Sequence, residues 1–284
     1  MARSVLLAGA LSVLITAPAW AADILIYGPA DATESGVATT GGHTVTIADA
    51  TAWAAMTTGD FAAFDAIVIG DSGCTVGASP NLDVATSNRT TWASAVTGPI
   101  VALTWDPGAH GDGAGPNQTD ELTLNAINYA ASGTSTGLYF ALGCYYLDNA
   151  LTAVTLLDPF GTFTVNDQSA DTITILDPAH PTMTGLTEAG LSNWGSSTHA
   201  QFLAFPAGFQ AIANSDNGSL VLPVIVTRAA APVAPTPTPG PLPDAAATQT
   251  SSGFLAPLLG LLLLVAAAVS IGLQVRRRGD FRRD

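Results

Sequence analysis

An α/β domain with a mostly parallel sheet and helices on both faces is predicted by three observations. Short β-branched runs alternate with Ala-rich helical or turn stretches from Asp23 to about Thr227. One run, Asp65-Ala66-Ile67-Val68-Ile69-Gly70-Asp71, is apolar without alternation, the pattern of a strand covered on both sides. Leu124, Ile127 and Ala130 repeat at helical spacing within Leu122 to Ala130.

The elements follow in chain order. Ile24-Leu25-Ile26-Tyr27 reads as a buried first strand running into Gly28-Pro29, and His43-Thr44-Val45-Thr46-Ile47 alternates as a second. Trp53 with Met56, and Phe61 with Phe64, mark the apolar faces of short helical turns before the third strand, Asp65 to Asp71. Pro99 to Trp105 forms a fourth strand, Leu122 to Ala130 a helix, and Gly137 to Leu142 a fifth strand leading into Gly143-Cys144. Thr172 to Leu176, His199 to Phe209 and Ser219 to Thr227 are strand-like and complete the sheet or form an antiparallel edge.

The two ends carry an address. One positive charge at Arg3, an apolar run from Val5 to Ala17 and the small-x-small triplet Ala19-Trp20-Ala21 make residues 1–21 a secretory signal peptide cleaved after Ala21. The run is too short for a membrane span of about 20 residues. The exported α/β domain covers residues 22–228, followed by a stalk over 229–253 held extended by Pro232, Pro235, Pro237, Pro239, Pro241 and Pro243. Phe254 to Val275 carries no charge and is long enough, at about 1.5 Å per helical residue, to cross the hydrocarbon core. Arg276, Arg277 and Arg278 begin a basic tail over 276–284, so the positive-inside rule puts the tail in the cytoplasm and the domain outside. The expected location is the cell membrane, single-pass, with the N-terminal domain at the cell surface or in the periplasm.

Composition excludes several functions. The chain carries 11% charged residues, against roughly 25% in an ordinary soluble domain. Every basic residue is an arginine, and the exported part keeps only Arg89 and Arg228 against 20 acids, a net charge of -18. Such a surface repels nucleic acid and anionic headgroups, so no nucleic-acid partner is expected. The absence of lysine excludes a Schiff base. No Walker loop, G-x-G-x-x-G run, H-E-x-x-H helix or G-x-S-x-G elbow occurs, and no cofactor is expected. Asn88-Arg89-Thr90, Asn117-Gln118-Thr119 and Asn217-Gly218-Ser219 fit the glycosylation acceptor pattern.

Two stretches carry a family resemblance. The order of strand, Gly-containing turn, His-Thr-Val strand and aromatic stretch into Phe64-Asp65-Ala66-Ile67-Val68-Ile69-Gly70-Asp71 resembles the class I glutamine amidotransferase-like domain, above all its ThuA-like branch. Asp177-Pro178-Ala179-His180-Pro181-Thr182-Met183-Thr184 resembles that branch's His-Pro segment. The resemblance covers about Asp23 to Leu186 and implies a flavodoxin-like sheet. It also implies a nucleophilic Cys in a G-x-C-x-G turn with a His-x-Glu pair. Here Cys144 has Leu142 and Tyr146 at the glycine positions, and His180 is followed by Pro181 and Thr182, which points away from glutamine hydrolysis. The stalk, span and Arg cluster are similar to exosortase-type sorting signals, with Pro239-Gly240-Pro241-Leu242-Pro243 in place of Pro-Glu-Pro, so a sorting protease is a candidate partner alongside the membrane.

Candidate sites gather at the ends of the strands, where open α/β sheets bind ligands. Asp71, Trp105, Asp106 and His110 are the binding candidates, and Asp106, His110 and Asp112 the candidate ligands of a divalent metal. The same Gly-rich loop is equally a set of Asp-capped turns. Cys74 and Cys144 each follow a strand end; an exported chain favours a disulfide between them, the alternatives being two thiols or a nucleophilic Cys144. His180 and His199 complete the catalytic candidates, and Ser192 to His199 has the aromatic and hydroxyl content of a carbohydrate contact or, equally, of an ordinary solvated turn. The expected function is a membrane-anchored surface protein whose domain binds or organises without catalysis. The alternative is an extracytoplasmic hydrolase-like enzyme acting on a sugar or small metabolite at the strand-end crevice.

Overall fold

The computed structural model describes residues 21–71, 81–105, 107–110, 118–141, 143–150 and 152–230. Contacts divide the chain into Met1–Val233 and Ala234–Asp284, and the described residues all belong to the first unit. Residues 1–20, most of the stalk, the Phe254 to Val275 segment and the basic tail lie outside them. Among the described residues no helix is long and apolar enough to cross a membrane.

Continuous apolar runs become the central strands because each is covered on two faces. In order the elements are β1 (Asp23–Tyr27), α1 (Glu34–Thr40), β2 (Thr44–Ala48), α2 (Ala50–Ala55), α3 (Thr58–Phe61) and β3 (Ala66–Ile69). Next come α4 (Asp83–Ser87), α5 (Arg89–Ala93), β4 (Ile100–Leu103), α6 (Pro107–His110), α7 (Thr119–Ala130), β5 (Gly137–Ala141) and α8 (Gly143–Asp148). The chain then forms β6 (Thr164–Val165), β7 (Thr172–Ile175), α9 (Glu188–Leu191), β8 (Phe202–Ala204), β9 (Gln210–Asp216) and β10 (Val221–Arg228). Eight strands make one sheet in the order β2-β1-β3-β5-β4-β10-β9-β7, and β6 pairs with β8 in a separate ribbon. From β2 to β4 every pairing is parallel; β10, β9 and β7 extend the sheet antiparallel, as the strand-like later third leads one to expect.

Alternate residues of each strand feed two cores. Leu25, Tyr27, Ile67 and Ile69 face Trp53 of α2, Phe61 of α3 and Trp92 of α5, while Ile24, Ile26 and Val68 face Ala38 of α1 and Leu122, Ala126 and Ile127 of α7. Trp53 packs edge-on against both Tyr27 and Phe61, at 4.8 and 4.9 Å between ring centres. Such pairs add about 0.5–1.5 kcal/mol beyond area burial. The two helices holding these rings start on side-chain caps: Asp49 accepts from the Ala52 N–H, and Thr57 and Asp60 form a capping box. Both arginines of the domain serve one place. Arg89 pairs with Asp158 at 3.6 Å, and Arg228 lies over Phe160 and Phe209.

Three elements differ from the expected ones. The second strand begins at Thr44 rather than His43, whose ring turns in so that Nδ1 accepts from the Ala22 N–H at 3.2 Å and Nε2 meets Asn128 Oδ1 at 2.9 Å. Within the His199 to Phe209 run only Phe202–Ala204 is strand, and it joins the small ribbon. Strand β9, which no sequence pattern marks, fills the position between β10 and β7. The spatial order also places β5 between β3 and β4, whereas a flavodoxin-like sheet runs 2-1-3-4-5.

Candidate binding site at the strand ends

β3, β5 and β4 are neighbours, so their carboxyl ends deliver Asp71, Gly143-Cys144 and Thr104-Trp105 to one rim. Asp71 is fully buried, and its Oδ2 accepts from the Cys144 N–H at 2.8 Å and the Tyr145 N–H at 3.3 Å. The carboxylate thus closes the exposed donors that begin α8. Gly143 lies so close to Thr104 that a Cβ there would press on its carbonyl oxygen and on His199 Cβ. The same carbonyl accepts from the His199 N–H at 3.3 Å, which ties the His199 segment to the end of β4. Removal of the Asp71 acceptor leaves two amide donors without it, one of them on buried Cys144; Asp71→Ala is expected to lose about 1–3 kcal/mol in urea unfolding. An unchanged midpoint would refute the capping role.

An aromatic array stands on this rim. His110 Nε2 and His199 Nε2 are 3.3 Å apart, with the rings nearly parallel at 15° and 5.6 Å between centres. Trp194 lies against His110 at 5.8 Å and stacks on Trp105 at 5.6 Å and 25°. The Trp194 indole is held by its Nε1–H donating to the Gly190 carbonyl at 2.9 Å. Asp171 shapes the approach: one carboxylate oxygen accepts from the Ser196 and Ser197 N–H groups, each at 2.7 Å, and so folds the loop that presents Trp194. Asp171 has no distinguishing sequence context, whereas Trp194 is the aromatic of the polar Ser192 to His199 loop.

The predicted residues therefore separate. Asp71, Trp105, His110, Cys144 and His199 come together; Asp106, Asp112 and Cys74 lie outside the described residues. Cys144 is disulfide-bonded, so its sulfur is not a thiolate. His180 packs instead on Tyr129 of α7, 4.5 Å between rings, and its Nδ1 accepts from the Thr182 N–H to start a 3₁₀ turn. Burial holds the His180 imidazole below its ordinary pKa, against the opposing pull of Asp177, which suits this neutral capping role. Of the glycosylation patterns, Asn88 exchanges hydrogen bonds with Trp53 through both ends of its amide, and Asn217 Nδ2 donates to Gln201. Among the described residues no group of three His, Cys, Asp or Glu side chains is set to hold a metal.

One acid escaped the sequence reading. Glu34 opens α1 and is wholly buried, with Oε2 accepting from the Ala32 and Thr33 N–H groups at 2.9 and 3.2 Å while Oε1 has no partner. It presses against Gly70, where a Cβ would overlap its carboxyl group. β1 and β3 are adjacent and the chain leaves β1 for opposite sides, so Glu34 and Gly70 meet at the topological switch point of the sheet. Burial is the main cause that pushes the Glu34 carboxyl up to about 7, partly offset by the backbone donors. Beside this turn, α1 and α7 line an open groove of about 630 Å³ that includes Thr33, Val37, Asp120, Glu121 and Leu124. Comparison with models of protein families, with curated proteins and with solved structures gives no match for this chain.

Proposed function

We propose that the protein is anchored in the cell membrane by Phe254 to Val275 and displays an amidotransferase-like domain that binds a carbohydrate or small molecule without catalysis. The observation that carries the binding half is the array of Trp105, Trp194, His110 and His199 on the strand-end rim. The half-buried indole of Trp194, backed by buried Trp105 and set beside the His110 imidazole, suits a ligand with both an apolar face and hydroxyls. The non-catalytic half is supported by the sulfur of Cys144, which is engaged in a disulfide at the position where the resembling family carries its nucleophile. A Cys74–Cys144 bridge is the pairing this reading takes.

Export is supported by the apolar leader and by where the fold starts. β1 begins at Asp23, so cleavage after Ala21 leaves the strand whole, and it leaves the new amino group of Ala22 beside His43 Nδ1. The Arg cluster after Val275 sets the orientation, and the tail's likeness to sorting signals makes a sorting protease a candidate partner.

The test compares the full chain with one ending at Gly253. The full chain is expected in the membrane fraction, with Ala22 as first residue and the domain digested by protease added to intact cells; the shorter chain is expected free of the membrane. Protection from external protease, or membrane retention of the shorter chain, would overturn the anchored reading. Neutral oligosaccharides are then expected to bind the full chain in detergent, with Trp194→Ala losing about 1–3 kcal/mol of affinity, the worth of one stacking platform by analogy with base stacking. Equal binding by that variant refutes the assigned site.

A further inference from the structure

We propose that β2, an edge strand of the sheet, pairs with β2 of a second copy of this chain, antiparallel and about a two-fold axis through Thr46, so that two domains share one continuous sheet. The carrying observation is that the two edges of the sheet are finished differently. β7 ends the sheet on one side, and its Ile173 and Ile175 N–H groups, which face away from β9, are taken up by Ser192 Oγ at 2.9 Å and Glu188 Oε1 at 3.0 Å. β2 ends it on the other side. The Thr44 N–H donates to the Ala22 carbonyl at 2.9 Å, so Thr44, Thr46 and Ala48 turn their backbone groups toward β1 while Val45 and Ile47 turn theirs outward. Among the described residues none pairs with that outer side. Ile47 is 55% exposed, and Thr44 and Thr46 are exposed as well, so neither flanking helix covers the edge. Proteins ordinarily block such an edge with a charge, a proline or a bulge, and β2 has none of these.

Charge and register point to a second copy as the occupant. Residues 22–275 carry net charge -18, so two copies repel one another unless they meet where no charge lies. From Ser35 to Ala48 the chain holds no Asp, Glu or Arg, and the exposed positions of α1 and α2, which flank β2, are all glycine, alanine or threonine. With Thr46 on the axis, Val45 of one copy stands opposite Ile47 of the other, and these two residues exchange backbone hydrogen bonds. Thr46 meets its own counterpart in the closer pair that has no such bonds. Apolar side chain then faces apolar and hydroxyl faces hydroxyl, the cross-strand pairs that stabilise a sheet. Asp49, the first acid beyond the strand, falls opposite His43 and not opposite another acid. A contact of one patch with itself closes, so the product is a dimer and not a filament. β1 separates β2 from β3, β5 and β4, which carry the rim, so the pairing leaves the rims of both copies uncovered.

The test uses the full chain in detergent. Sedimentation equilibrium is expected to give the mass of two chains. Thr46→Cys is expected to form a disulfide-linked dimer on mild oxidation, because Cα atoms of such a pair stand about 4.5 Å apart, within disulfide reach. Thr44→Cys, on an equally exposed position of the strand, is expected not to link, because its two copies lie about 14 Å apart at roughly 3.4 Å per residue. Ile47→Lys sets an ammonium group against Val45 of the other copy and is expected to weaken dimerisation at least tenfold; the site is exposed, so the urea midpoint of the monomer is expected to hold. A monomer at every concentration overturns the proposal, and so does linking by Thr44→Cys as readily as by Thr46→Cys. A dimer that survives Ile47→Lys and is not linked through Thr46→Cys is held elsewhere, for instance by the Phe254 to Val275 segment, and overturns it equally. These outcomes leave the anchor and the rim ligand to their own tests.

Discussion

Between pH 4.5 and about 7 the domain is expected to lose about 3 kcal/mol of stability through one residue, Glu34. Its carboxyl titrates near 4.5 when the chain is unfolded and about 7 when buried. Over that interval the folded state therefore holds a proton that the unfolded state has released, and stability falls as pH rises. The contribution is complete below about pH 4.5 and lost once pH passes about 7. At about 1.4 kcal/mol for each pH unit, the span from 4.5 to about 7 corresponds to about 3 kcal/mol. Glu34→Gln keeps the acceptor for the Ala32 and Thr33 N–H groups and cannot ionise, so the variant is expected to match the wild type at pH 4.5 and exceed it by about 3 kcal/mol at pH 8. Urea unfolding at the two pH values measures the difference directly. Parallel curves for the two proteins would show that Glu34 ionises in the folded state without penalty. Gly70→Ala addresses the same contact from the other side, since its Cβ would meet the Glu34 carboxyl and the Ala30 carbonyl. Overpacking of this kind costs about 1–3 kcal/mol.

Trp105→Ala is expected to cost about 3–5 kcal/mol, the range for emptying a fully buried large aromatic site. Trp105 is fully buried in the core beneath the sheet end, and Trp194 is stacked on it. Its loss therefore removes the floor of the aromatic array as well as core volume. Trp105→Phe separates the two effects: it retains a ring for stacking and deletes an indole N–H that has no hydrogen-bond partner. The phenylalanine variant is expected to recover most of the stability, read as denaturation midpoint, and to retain most of the oligosaccharide binding proposed for this rim. Equal losses in both variants would mean that the indole itself, rather than an aromatic platform, is required there.

The central strands were legible because their physics is local. Ile24 to Tyr27, Ala66 to Ile69 and Ile100 to Leu103 are apolar without interruption, and a strand buried on both faces demands that pattern. Asp71 and His110 were likewise readable as rim residues, since each follows a strand end. β9 was not, because its Asn214, Ser215 and Asp216 look like a turn until Gln201 and Thr198 arrive to satisfy Ser215. Trp194 was readable only as the aromatic of the Ser192 to His199 loop; its stacking on Trp105 was not, because that partner comes from a distant segment.

By itself the sequence determined the α/β class, the acidic and lysine-free character of residues 22–275, and the identity of the strands that carry the rim. These follow from composition and from patterns within a few residues. Only the tertiary structure decided that β5 lies between β3 and β4, that Glu34 is sealed beneath Gly70, and that His110 and His199 face one another. Each of those depends on which segments become neighbours across the sheet, and hydrophobic periodicity specifies that an element is buried without specifying its partner.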